Sequence, residues 1–366
     1  MKLETFFNNF DLLADAPNGV QKLRELILQL AVMGKLVPQD KNDEPASVLL
    51  EKVKAEKEKL VKEKKLKKST PLKPIEKDEE PHMVPKTWEW KKTEELCFVT
   101  KLAGFEYTKY LVLSEHGEVP VIRAQNVKLN NIDDTNLRFI DLKTSLLLER
   151  SALTKTAILM TFIGAGIGDV AIFRAKERWH LAPNVAKLEP FNNYGEKLDI
   201  KYLLIFLMSA TGRFEIFKHR KSTAQPSLSM ETIRDINIAI PPLAEQKRIV
   251  AKVDELMVMC DRISSRQQQK RETRILINNA AIGQLLTARE PEVFNKSWQH
   301  ICNNFDLLYS TPDNIGKLRQ AILQLAVQGK LVPQDENDEP ASVLLEKIRV
   351  EKEQLVKEGK IKKRFH

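Results

Sequence analysis

The sequence predicts an α+β protein: one compact α/β domain, a long coiled-coil-forming helix, and helical regions at both ends. Three observations carry this. Residues 8–68 return at 303–363 with a constant offset of 295 and no gap, identical at 44 of 61 positions. From Trp88 to about Ile240, glycines appear and β-branched residues cluster in short apolar runs. After Pro241 and Pro242 the chain runs for more than 40 residues without a proline and steps in heptads. A repeat of this period is a duplicated module rather than a solenoid. The expected organisation is a helical region over 1–68, a linker over 69–87, the α/β domain over 88–240, the long helix over 241–290 and a second helical region over 291–366.

In the first helical region, Val20, Leu23, Leu26, Ile27, Leu30 and Ala31 fall at helical spacing, and Gly34 ends the helix. Pro45 opens another, with Val48, Leu49, Val53 and Leu60 on one stripe and Glu/Lys pairs elsewhere. The stretch 69–88 has four prolines and no periodicity, which reads as a linker. Within the domain, 119–127 and 155–173 read as strands and 200–219 as a helix. In the long helix, Ile249, Val253, Leu256, Cys260 and Ile263 step by 4, 3, 4 and 3, a coiled-coil seam. It turns polar at Gln267 and Lys270 and resumes near Ile277. Such a helix is about 60 Å long and needs a partner for its apolar stripe. That partner is either a helix of the repeats or one from another subunit.

Composition narrows the function. The chain is 42% apolar and 30% charged, which reads as soluble and ordered. A net charge of +9 favours an acidic partner, nucleic acid being the commonest; lysine-rich solvated helices explain the charge equally well. Cys97, Cys260 and Cys302 are scattered, with neither metal spacing nor a disulfide framework, as in a reducing cytosol. No segment approaches ~20 apolar residues, so no membrane span is expected. The N-terminus has no signal-peptide core.

Catalytic signatures are sparse. Gly164-Ala165-Gly166-Ile167-Gly168 follows a strand like a phosphate loop, but it lacks the GxGxxG spacing. A second strand follows it, where an anion site needs a helix N-terminus, so a tight β-turn is expected. The six histidines form no i,i+4 ligand pair. Two clusters suit DNA better. Lys218, Arg220 and Lys221 sit with Ser222, Thr223 and Gln225; cations neutralise phosphates, and hydroxyls and amides position on the backbone or read bases. Arg123, Gln125, Asn126 and Lys128 form the second, in which arginine suits guanine and Gln/Asn suit adenine. Each cluster alone also fits an ordinary loop or helix end.

Three segments in order, PVIRAQNV, TFIGAGIGDVAIF and STAQPSLSMETIRDINIAIPPLAEQKRIVAKVDEL, resemble a target recognition domain and the start of its spacer helix. The resemblance is to the specificity subunit of type I restriction–modification systems, and it covers essentially the whole chain. The repeated GKLRQAILQLAVQGKLVPQDENDEPASVLLEK is similar to that family's conserved helical region.

The resemblance implies a non-catalytic, cytoplasmic DNA-recognition subunit. It implies partners: double-stranded DNA, methyltransferase subunits and restriction subunits. S-adenosylmethionine and ATP would serve those partners, with no cofactor bound by this chain. A full subunit has two recognition domains, each reading half of a split site; one is present here. The second copy continues only to Arg364-Phe365-His366 where the first continues to Ser69-Thr70-Pro71. The expectation is a half-subunit that pairs with a second copy of itself through the long helix and repeats and reads an interrupted palindrome. Arg123, Gln125 and Asn126 are expected at base edges and Arg220, Lys221, Ser222 and Thr223 at phosphates. The competing expectations are an assembly module that binds methyltransferase subunits without reading DNA, and a nucleotide-binding enzyme built on the glycine turn.

Overall fold

The computed structural model describes residues 10–14, 16, 18–67, 73–191, 197–218, 227–332, 335 and 337–361. It divides into two compact units, Met1–Ser264 and Ser265–His366.

The first unit opens with helices α1 (Phe10–Ala14), α2 (Gly19–Val32) and α3 (Ala46–Lys62). Gly34 takes φ 66° after α2, the left-handed stop the sequence predicts. A Cβ on Gly34 would meet Pro85 Cγ at 2.5 Å, so the residue is glycine for space as well as for its torsion angle. The segment read as a linker therefore lies, from residue 73 onward, partly against the first repeat. There His82 Nε2 donates to the Val32 carbonyl at 3.2 Å.

The domain that follows contains strands β1 (Glu89–Lys92), β2 (Cys97–Lys101), β3 (Val119–Ile122), β4 (Val127–Lys128), β5 (Asn131–Ile132), β6 (Arg138–Ile140), β7 (Ala152–Leu153), β8 (Ala157–Thr161), β9 (Val170–Phe173), β10 (Trp179–Leu181), β11 (Val185–Pro190) and β12 (Asn237–Ile240). Its helices are α4 (Thr93–Leu96), α5 (Gly104–Tyr110), α6 (Leu142–Leu147), α7 (Ile200–Met208), α8 (Ala210–Phe217) and α9 (Met230–Arg234). Two four-stranded sheets run β2-β11-β8-β9 and β6-β3-β10-β7; β1–β12 and β4–β5 form separate pairs. The first sheet is antiparallel, whereas β3 and β10 pair in parallel.

Two local expectations change. The stretch 119–127 is not one strand: after β3 a short 3₁₀ turn at Ala124–Asn126 redirects the chain into β4. The helix expected over 200–219 breaks at Ser209, whose extended backbone ends α7 and whose Oγ accepts from the Gly212 N–H to start α8. A Cβ at Gly212 would lie 2.0 Å from the Phe206 carbonyl oxygen, so this glycine permits the tight joint.

Helix α10 runs Leu243–Thr287, close to the expected span. Its seam residues Ile249, Val253, Leu256 and Cys260 are buried in the same core as Leu23 and Ile27 of α2, with Ile263 packed partly buried against it. Arg24 of α2 reaches α10 as well, pairing with Asp261 at 2.6 Å and donating to Met257 Sδ. Of the two partners open to the seam, this part of α10 takes the first repeat of its own chain. Those four positions are already packed within the chain, with the repeat helix as the partner.

In the second unit, α11 (Pro291–Asn303), α12 (Phe305–Leu308), α13 (Pro312–Val327) and α14 (Ala341–Lys357) follow the end of α10. Ala281 and Leu285 of α10 share a buried cluster with Ile301, Leu308, Tyr309 and Leu325. Helix α14 has the bounds of α3 displaced by the repeat offset of 295, and Gly329 repeats Gly34 at φ 68°. The two copies fold alike locally.

Candidate nucleic-acid interface

Two hairpins of the domain and the end of α8 converge. The hairpin β4–β5 packs on β9 through the Asn130 N–H, which donates to the Val170 carbonyl at 2.8 Å. The glycine turn 162–169 joins β8 to β9 as an antiparallel hairpin. The strand after the turn, where a phosphate loop needs a helix, bears out the tight-turn reading. Gly168 sits at φ 80° with Phe217 against the position a Cβ would occupy. Arg213 of α8 reaches the same turn, donating from Nη1 to the Gly168 carbonyl at 2.6 Å and stacking on Phe217.

Arg220, Lys221, Ser222, Thr223 and Gln225 lie outside the described residues. The flanks of that segment are fixed at the glycine turn. Lys218 ends α8, and Ser227 forms a β-bridge with Ile163. The Leu228 N–H then donates to the Phe162 carbonyl, and Lys101 lies 4.8 Å from the Phe162 ring centroid.

The predicted residues divide by their partners. Gln125 and Lys128 are exposed. Asn126 is buried and serves its own loop: Oδ1 accepts from the Arg123 N–H at 3.1 Å, and Nδ2 donates to the Asp133 carbonyl at 2.8 Å. Arg123 donates from Nη2 to the Asn136 carbonyl at 2.6 Å. Lys218 pairs at 2.6 Å with Glu215, a buried carboxylate that also accepts from the Asn237 N–H. A buried charge without its partner is costly, so Lys218 first supports the fold.

Burial raises the Asp169 carboxyl above its ordinary range, against the opposing pull of Arg213 and Lys128. Two cations therefore face the turn. Lys101 and Arg213 were missed by sequence reasoning because no cationic cluster marks them; only tertiary contacts bring them to the glycine turn. Burial also raises the Cys97 and Cys260 thiols, which makes both poor nucleophiles. Among the described residues no group of three or more His, Cys, Asp or Glu is placed to hold a metal ion, and no helix is long and apolar enough to cross a membrane.

A mixed-strand domain with a polar, partly cationic loop cluster, packed on the first helical repeat, has the arrangement of a recognition module, in which a rigid scaffold presents loops. The chain belongs to the type I restriction–modification DNA specificity family, whose domain matches residues 85–272. It is 35% identical to the type I restriction enzyme EcoAI specificity subunit of Escherichia coli, over 94% of this chain and 58% of that protein. It is 33% identical to the EcoEI specificity subunit of the same species, over 94% and 57%. The chain thus spans somewhat more than half the length of these curated relatives. Among solved structures, the HsdS subunit from Thermoanaerobacter tengcongensis matches 73% of this chain and 53% of that chain, at 14% identity and TM-score 0.35.

Proposed function

We propose that residues 88–240 read one half of a bipartite double-stranded DNA site and direct methyltransferase and restriction subunits to it. The observation that carries this is that Lys128, Arg213 and both flanks of the 219–226 segment meet at one glycine turn, with Gln125 exposed on the loop that leads into β4. Exposed cations there suit phosphates, and an exposed amide suits an adenine edge. In this reading Gln125 contacts a base. Lys128 and Lys101 contact phosphate, together with Arg220, Lys221, Ser222, Thr223 and Gln225. Arg123 and Asn126 hold the loop that presents Gln125. Lys218 contributes at the edge, through whatever charge its pairing with Glu215 leaves.

The chain itself is non-catalytic and cytoplasmic in this reading, and S-adenosylmethionine and ATP are handled by the partner subunits. A second copy of the chain supplies the other half-site, and the target is an interrupted palindrome. Because the Ile249–Cys260 seam is filled internally, that pairing uses other surfaces.

The test is methylation mapping in cells expressing this chain with its modification subunit. The expected result is adenine methylation at one split, palindromic motif. An asymmetric motif overturns the two-copy arrangement. Loss of sequence preference with intact binding of the modification subunit favours the assembly module instead.

A further inference from the structure

The two repeats are copies, yet each packs on its own stretch of α10. The first lies against Ile249–Cys260 and the second against Ala281 and Leu285. The copies are identical at 44 of 61 positions, but residues 14–21 and 309–316 share only a proline, Pro17 and Pro312. Where the first copy has Ala14, Ala16 and Gly19, the second has Tyr309, Thr311 and Asn314. A small, apolar set has become a polar one inside a sequence otherwise closely kept.

This divergent block is what the second copy turns toward α10. Arg274 donates to Ser310 Oγ at 3.2 Å, Arg271 pairs with Asp313 at 2.9 Å, and Lys317 donates to Asn279 Oδ1 at 2.6 Å. Positions 271, 274, 278, 281 and 285 step by 3, 4, 3 and 4, so they form one stripe of the helix. Ala281 and Leu285 end that stripe in the apolar cluster that holds Tyr309. Asn278 lies between, 0% exposed, and among the described residues neither of its amide atoms has a hydrogen-bond partner. On the facing block the Tyr309 hydroxyl, the Thr311 hydroxyl and Asn314 Oδ1 are likewise buried without a partner. Asn314 is held from its other end, Nδ2 donating to the Leu308 carbonyl at 2.6 Å. Donors and acceptors are thus present on both sides of one contact. The earlier stretch is different: Ile249, Val253, Leu256 and Cys260 share an apolar core with Ala14, Leu23 and Ile27.

We propose that Asn278 and the Tyr309–Asn314 block form a polar key that admits the second repeat, and not the first, to the 271–285 stretch of α10. Small side-chain rotations or a bridging water close the hydrogen bonds among them; a buried water takes two to four polar partners, which this set supplies. The key sorts in both directions. The first repeat on this stretch would set Ala14, Ala16 and Gly19 against Asn278 and leave its amide unsatisfied. The second repeat on the earlier stretch would press the polar atoms of Tyr309, Thr311 and Asn314 onto an apolar seam. A buried polar residue in a helix seam fixes partner and register at a cost in stability. The chain needs such a device because the rest of the two faces is interchangeable: Leu23, Ile27 and Leu30 recur as Leu318, Ile322 and Leu325. This goes beyond the DNA-reading proposal and does not depend on it.

The test uses the full chain with Cys302→Ser, which removes its exposed cysteine, and a short bis-maleimide crosslinker. Asn279→Cys with Lys317→Cys reports the second repeat on its stretch of α10, at positions outside the key. Asn278→Leu, which a plain apolar seam would favour, should instead slow crosslinking about tenfold, because the facing polar groups lose their partner. Adding Tyr309→Phe, Thr311→Val and Asn314→Leu to that chain should bring the rate back to within about threefold of the parent, since neither side is then polar. Giving the second repeat the first copy's residues, Tyr309→Ala with Thr311→Ala and Asn314→Gly, should also slow crosslinking, and Asn278→Leu should then speed it. An Asn278→Leu chain that crosslinks as fast as the parent overturns the proposal. So does an exchanged block whose slow crosslinking Asn278→Leu leaves unchanged. If the exchanged block does not fold, Asn278→Leu with and without the three apolar replacements decides alone.

Discussion

Gln29 and Thr211 lie 182 residues apart and exchange hydrogen bonds at 2.9 and 3.1 Å across the junction of the first repeat and the recognition domain. The Thr211 hydroxyl also lies 3.5 Å from His82 Nδ1. This three-residue junction ties the repeat, the 73–87 segment and helix α8 into one unit. Thr211→Val keeps the shape and removes the hydroxyl, leaving the Gln29 amide short of a partner. The expected loss is about 1–3 kcal/mol, read from the urea unfolding midpoint.

The same junction gives a pH dependence. Burial lowers the His82 pKa below its ordinary 6.5, and burial does the same to His180 inside the β10 sheet. The folded state therefore binds fewer protons than the unfolded state as pH falls through 6.5. Stability is complete above that pH and declines below it until the folded-state pKa is passed. Unfolding midpoints measured from pH 7.5 down to 5 should fall. In His82→Gln the fall should be shallower, with His180 supplying what remains.

Within the interface, Lys128, Gln125 and Asn126 should behave as three distinct classes. Lys128→Ala should weaken all DNA alike and reduce the salt slope by about 1. Gln125→Ala should relax one position of the site, at a cost of about 1–3 kcal/mol. Asn126→Ala should lower the thermal midpoint even without DNA, because two loop hydrogen bonds are lost. An Asn126 variant with unchanged stability and altered base preference would return this residue to the reading set.

The filled seam predicts intrachain energetics. Leu256 is buried in the core shared with α2. Leu256→Ala should destabilise the chain by about 2–5 kcal/mol. The loss should be independent of protein concentration. A midpoint that rises with concentration would mean that the seam is completed by a second molecule.

Much of this was legible in the sequence because it is local. Apolar spacing set α2 and α3, Gly34 set the end of α2, and the offset of 295 carried the same elements into the second repeat. The glycine turn was legible as a hairpin because a strand follows it. The Gln125–Lys128 cluster was found by residue type alone, but residue type did not separate its members. Asn126 and Gln125 are adjacent amides, and only the fold around Asp133 and Asn136 turns one inward. Arg213 and Lys101 were not legible, since nothing local distinguishes them from other helix and strand cations.

The repeats mark the boundary most sharply. The sequence by itself determined two copies of one helical module, because helix formation and termination depend on neighbours along the chain. Val32 and Val327 sit in matching sequence and matching helices, and one is buried while the other faces solvent. Burial depends on what packs from outside the segment. The tertiary structure alone decided that the first copy is seated and the second is open.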